Sequence, residues 1–138
     1  MNTVRVESFG VKGDEARTRN AREMSGQGVI GGMWAAAPPR AEIVVVYSDY
    51  ESDKDGEYNY LLGVKTAPDE TPNKRVEKGD YLLLQFEGPI TPEATVGLWR
   101  QVWDLEGAGK IQRAYQTDFE LYGDARLDLY VGLKPKSW

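Results

Sequence analysis

The chain has 138 residues, enough for one hydrophobic core but too few for a catalytic domain and a regulatory domain together. It holds no cysteine and no histidine, which excludes disulfides, thiolate nucleophiles, Cys/His zinc sites and the Ser-His-Asp and Cys-His catalytic pairs. With 17 Lys and Arg against 22 Asp and Glu, the formal charge of -5 opposes direct nucleic-acid binding and favours cations as partners.

The opening MNTVRVESFG has no apolar signal core, and no run of 18 apolar residues follows, so no membrane partner is expected. The absence of cysteine fits a cytoplasmic location. Thr3 to Arg19 alternates and predicts one edge-like strand. Asn20 to Trp34 predicts a helix, with Asn20 as N-cap and Glu23 three residues on completing a capping box. Gly26, Gly28, Gly31 and Gly32 oppose that helix, since each costs about 1 kcal/mol relative to Ala in a helix interior. Either they make room for a neighbour or a ligand, or the helix is broken. The segment GQGVIGG has no Gly-Lys-Ser/Thr after it and opens no parallel βαβ unit, so no nucleotide cofactor is expected.

Ala41 to Tyr50 and Glu57 to Thr66 predict a hairpin around ESDKDG. Its acidic turn lacks the spacing of a calcium loop and reads as solvated, with no metal. Asp80 to Gly88 predicts a strand. The next helix is bounded by Thr91 as N-cap, Pro92 at its first position, Glu93 in its first turn and Gly107 after its end. Ile111 to Gly123 and Arg126 to Lys134 predict the closing hairpin.

The stretch Ser48 to Lys65 aligns without a gap on Thr117 to Lys134, so that Asp49 meets Asp118, Glu51 meets Glu120 and Gly63 meets Gly132. The same spacing of 69 residues relates Trp34 to Trp103 and Gly10 to Gly79. Such self-similarity predicts two units, 1–69 and 70–138, in one domain. The expected fold is α+β: duplicated strand-helix-strand-strand units with pseudo-twofold symmetry. A mainly antiparallel curved sheet would carry two helices and a central pocket.

Within TDFELYG, Asp118, Glu120 and Tyr122 share one strand face, while Phe119 and Leu121 share the other. A charge among such neighbours is costly unless something pairs with it. One reading turns Glu120 to the surface, salt-bridged to Arg113 or Lys134, and makes the aromatic stripes core. The other makes Glu120 the anion of a ring-lined cavity for bulky organic cations, each ring attracting the cation by about 0.5 to 2 kcal/mol. Trp99 and Trp103 share a face of the second helix with Val96. Trp34 holds the matching place in the first. Tyr47, Tyr60, Phe86 and Tyr115 lie on predicted strands and complete, with Glu120, the set of candidate ligand-binding residues. In the empty site the carboxylate needs Tyr hydroxyls, a cation or water, and burial raises its pKa.

The segments RTRNAREMSGQGVIGGMW, VYSDYESDKDGEYNYLLG and YQTDFELYG together resemble the GyrI-like small-molecule-binding domain. That domain is also the effector-binding half of AraC-type and MerR-type transcription activators, multidrug-sensing ones included. The resemblance implies a pocket between duplicated halves. In the motif aromatic-Glu-x-Tyr, matched by Phe119 to Tyr122, it implies that Glu120 is the pocket anion for lipophilic cations. The regulators' helix-turn-helix domain has no counterpart, so the resemblance implies a stand-alone module of a kind carried on mobile gene cassettes. Any DNA contact would then come from a separate DNA-binding protein. Two other functions follow from the same resemblance: hydrolysis of cyclopropanoid DNA-alkylating compounds, with Glu120 activating water, and an acidic surface for gyrase or a regulator. Exposed edge strands leave a homodimer open.

Overall fold

The computed structural model describes residues 2–37 and 42–135; Ala41, where the first hairpin is predicted to begin, lies outside them. Alternating segments form β1 (Asn2–Val6), β2 (Phe9–Arg19), β3 (Ile43–Ser48), β4 (Glu57–Lys65), β5 (Lys74–Val76), β6 (Gly79–Glu87), β7 (Arg113–Gly123) and β8 (Arg126–Leu133). They make one antiparallel sheet in the order β1-β6-β8-β7-β3-β4-β2-β5. The helices are α1 (Asn20–Met24), α2 (Ile30–Ala36) and α3 (Pro92–Gly107). The architecture is therefore α+β, with three helices where the sequence predicts two. No helix among the described residues is long and apolar enough to cross a membrane.

Exchanging each strand for the one four later in the chain reproduces the same order read from the other end, so the sheet has a pseudo-twofold arrangement. Ser48 and Thr117 pair across β3 and β7 and stand 69 residues apart. The ungapped alignment nevertheless joins unlike environments. The second hairpin turns through Asp124 and Ala125, whereas the first needs residues 49–56, so Glu51 lies in an exposed loop while its match Glu120 lies inside β7.

The predicted strand from Thr3 to Arg19 is also two strands. Its break at Glu7 and Ser8 sends β1 to one edge of the sheet and β2 to a place beside the other. Glu77 and Lys78 join β5 to β6 in the same way. Links this short span at most about 11 Å, so the two edges must approach each other and the sheet must curl into a half-barrel. Inside the curl, Val11, Val44, Val46, Leu61, Val76, Tyr81 and Phe119 form one buried cluster. On the helix side Val45, Leu82, Leu98, Val102, Leu127, Leu129 and Val131 belong to a second. The central strand β7 is thus buried on both faces, and Thr117, Asp118, Phe119 and Glu120 are all inaccessible.

Helix α3 begins as predicted, since the Thr91 hydroxyl accepts the Ala94 N–H at 3.2 Å and Pro92 occupies the first turn, but Gly107 is its last residue rather than the one after its end, and Ala108 is the C-cap. The glycine-rich helix breaks instead. Gly26 takes φ +83° in the link, and neither α1 nor α2 contains a fully buried residue. The predicted capping box is not formed. Asn20 is already helical and donates to the Lys54 carbonyl at 2.7 Å, while Glu23 caps the next helix by accepting the Val29 and Ile30 N–H groups at 3.0 and 3.1 Å. A Cβ on Gly28 would collide with the Glu23 carboxylate, whereas one on Gly32 would meet open space. Gly28→Ala should uncap α2, lowering stability by about 1 kcal/mol and speeding hydrogen exchange at Val29 and Ile30. Gly32→Ala should raise stability by about 1 kcal/mol through helix propensity. Thermal unfolding of the two variants checks both signs.

Candidate ligand-binding site

α1 and α2 stand on one side and α3 on the other, with a cavity of about 550 Å³ between them. Met24, Ile30 and Trp34 form one wall, and Val96, Trp99 and Trp103 the other. The floor is tyrosine: Tyr47 from β3, Tyr58 and Tyr60 from β4, and Tyr122 from β7. The volume falls within the range of small-molecule sites. The rings brace one another, with centroids 5.0 Å apart for Tyr47 and Trp99, 5.3 Å for Tyr47 and Tyr60, and 4.8 Å for Trp34 and Tyr122. Trp34 also donates its indole N–H to the Tyr60 hydroxyl at 2.8 Å.

Glu120 lies directly under this floor at 1% exposure. Its Oε2 accepts the Tyr47 hydroxyl at 2.9 Å and the Trp99 indole N–H at 2.7 Å; its Oε1 accepts the Tyr122 hydroxyl at 2.6 Å. All three donors line the cavity, and all three are neutral. Arg113 is bound elsewhere, to Asp118 at 2.7 Å, so the surface salt bridge considered for Glu120 is not made. Burial raises the Glu120 pKa, and the hydrogen bonds from Tyr122, Trp99 and Tyr47 oppose that rise without cancelling it. Burial, and then the Glu120 charge, push the Tyr47 and Tyr122 hydroxyls well above their usual pKa, so both stay protonated as donors.

Of the candidate aromatic residues, the structure brings Trp34, Tyr47, Tyr60, Trp99 and Trp103 to the cavity. Phe86 and Tyr115 are not among its lining residues. α3 packs over β6 and β8, and Phe86 on β6 is half-buried against the core cluster on that side. Tyr115 takes φ +55° at a bulge in β7 and donates to the Glu106 carboxylate at 2.7 Å. The sequence reading passed over Tyr122 and Tyr58 as lining residues; Tyr122 stands two positions from Glu120, a spacing that already places it on the same strand face. It also missed Met24, Ile30 and Tyr50, whose positions depend on the helix break and on the 49–56 loop.

The same bulge assembles a second buried group. Residues five apart on a regular strand face opposite ways, but the irregularity between Arg113 and Asp118 brings both to the cavity side. Asp118 also accepts the Tyr50 hydroxyl at 2.5 Å and the Gly132 N–H at 2.7 Å. The Arg113 guanidinium centre lies 4.2 Å from the Tyr115 ring and 5.3 Å from that of Trp99. Among the described residues no cluster of His, Cys, Asp or Glu could hold a metal ion.

The chain matches no protein-family model. Integron cassette protein VCH_CASS2 from Vibrio cholerae is 27% identical, with a TM-score of 0.78 over 96% of this chain and 95% of that one. SAV2435, solved bound to tetraphenylphosphonium, superposes with a TM-score of 0.72 at 15% identity, over 96% of this chain and 93% of that one. The chain has the GyrI-like fold. A transcription regulation protein candidate from Staphylococcus aureus MU50 shares that fold, with a TM-score of 0.71 at 15% identity over 97% of each chain. YobU of Bacillus subtilis (strain 168), named as a candidate transcriptional regulator, is 25% identical over 86% of this chain and 88% of its own length.

In this GyrI-like fold the charge of Glu120 should act against stability. Its folded pKa lies above the ordinary 4.5, so its contribution is fully present below that value and is lost as pH rises through the folded pKa. Glu120→Gln escapes that loss. Its melting temperature relative to the native protein should therefore climb between pH 5 and pH 8, by roughly 3 °C for each kcal/mol involved. Paired thermal unfolding curves across this range measure the difference, and a flat difference would contradict it.

Proposed function

We propose that the protein is a receptor for lipophilic organic cations. The observation that carries this reading is a buried carboxylate held by three neutral donors and no cation, beneath a cavity walled by rings. Folding has already stripped Glu120 of water, so an incoming cation gains its attraction without a second desolvation of the carboxylate. The tryptophan and tyrosine faces add about 0.5 to 2 kcal/mol each. Neither contribution demands one hydrogen-bond geometry, so binding depends on charge and shape and spans many cations. A metal-sized, strongly hydrated cation gains little from such walls and is not the preferred ligand.

The complex of SAV2435 with tetraphenylphosphonium supports the reading, because a protein of the same fold accommodates such a cation. Similarity to proteins named as regulators supports a place in transcription control, in which this module senses the ligand and a separate protein contacts DNA. Quenching of tryptophan fluorescence by tetraphenylphosphonium tests the binding step. Native protein should saturate, and Glu120→Gln should bind about 10-fold to 100-fold more weakly once the counter-charge is gone. Native affinity should also fall from pH 8 toward pH 5 as Glu120 protonates, while the variant stays constant. Equal affinity of the two proteins, or no native binding, would overturn the proposal.

A further inference from the structure

Most glycines of the chain answer a need of the fold, either a φ in the left-handed region or a neighbour that a Cβ would strike. Gly31 answers neither. It lies in α2, where glycine is a poor helix former, its φ is outside the left-handed region, and a Cβ built on it would find no atom within 4 Å. Gly32, Gly97, Gly107 and Gly123 are equally unconstrained, but of this group only Gly31 lines the cavity. Trp34 follows it by three residues and shares its helix face. That tryptophan reaches the floor through Tyr60 and Tyr122, so Gly31 widens the cavity one turn before it in the same wall. Across the cavity α3 presents Val96, Trp99 and Trp103, all of them large.

We propose that Gly31 sets the width of the cavity and selects cations that carry a bulky group on every side of the charged centre. The inference rests on the cation reading above and narrows its ligand class. A tetrahedral cation above Glu120 directs its four groups apart, so with the floor beneath and α3 on one side, one group points to α2. At Gly31 that group meets helix backbone alone, and any side chain there would take its room. The fold gains nothing from a glycine at this position, because neither backbone geometry nor a protein neighbour asks for one. A wide ligand does gain. Slender cations, which leave that side of the cavity unfilled, are indifferent to the residue at 31, so its identity acts on selectivity rather than on the attraction of Glu120 for charge.

Two cations of equal charge test this: tetraphenylphosphonium and methyltriphenylphosphonium, in which one ring is replaced by a methyl group. Calorimetric titrations compare native protein with Gly31→Val and, as a control in the same helix, Gly32→Val. In Gly31→Val the dissociation constant of tetraphenylphosphonium should rise about tenfold relative to that of methyltriphenylphosphonium, while Gly32→Val keeps the native ratio within about twofold. Neither variant should melt below the native protein, since valine costs less than glycine in a helix. If Gly31→Val keeps the native ratio, if Gly32→Val shifts it as far, or if Gly31→Val alone melts lower because its side chain strikes protein, the selective role of Gly31 is overturned while cation binding stands. If neither phosphonium binds native protein, the receptor reading fails and this inference falls with it.

Discussion

An ionisable carboxylate inside the protein, met by no positive charge, is the constraint around which the site is organised. Glu120 keeps its place because two tyrosine hydroxyls and one indole N–H converge on it from β3, β7 and α3. Each of these donors belongs to a ring that also walls the cavity. The hydrogen bonds that make burial of the charge tolerable therefore orient the aromatic surface a cation would meet. Polarity and shape are set by the same side chains.

That arrangement needs a strand with no solvent on either face. β7 has such surroundings because β3 and β8 flank it, the helices cover one face, and the curled edges of the sheet cover the other. The curl in turn follows from the links at Glu7–Ser8 and Glu77–Lys78, which tie each edge strand to a strand beside the opposite edge. The same strand carries a bulge with Tyr115 at positive φ, a conformation of some energetic cost for a non-glycine residue. Its consequence is local: Arg113 swings to the side of Asp118, and a buried ion pair forms away from Glu120. The two acids of β7 thus have opposite fates within three residues.

The two sides of the cavity are built with different strength. α3 is a capped helix of sixteen residues with Leu98, Trp99 and Val102 buried, so it is a fixed wall. α1 and α2 bury no residue fully and are held by directed contacts: Glu23 at the start of α2, Asn20 on Lys54, and Trp34 on Tyr60. Met24, at 52% exposure, stands on this weaker side. Low local burial is the condition under which segments open most readily, so the wall of α1 and α2 yields more readily than that of α3.

Much of the fold was legible in the sequence, because strand alternation and the N-terminal cap of α3 are local signals that tertiary contacts reinforce. The aromatic-Glu-x-Tyr motif likewise marked Glu120, and the four-residue spacing put Trp99 and Trp103 on one face. What local pattern could not decide was where two-residue links fold the edges, since alternation is the same on either side of Glu7 and Ser8. It could not decide which of Asn20 and Glu23 caps which helix, because that depends on the break at Gly26 and the space beside Gly28. Position on a predicted strand alone placed Phe86 and Tyr115 with the other rings; the cover of α3 and the bulge in β7 removed them. The sequence by itself therefore determined which residues carry charge and rings and on which elements they lie. Only the tertiary structure decided that Arg113 takes Asp118 and leaves Glu120 to neutral donors, because pairing of buried charges depends on distances set by bulges and packing rather than on residue spacing.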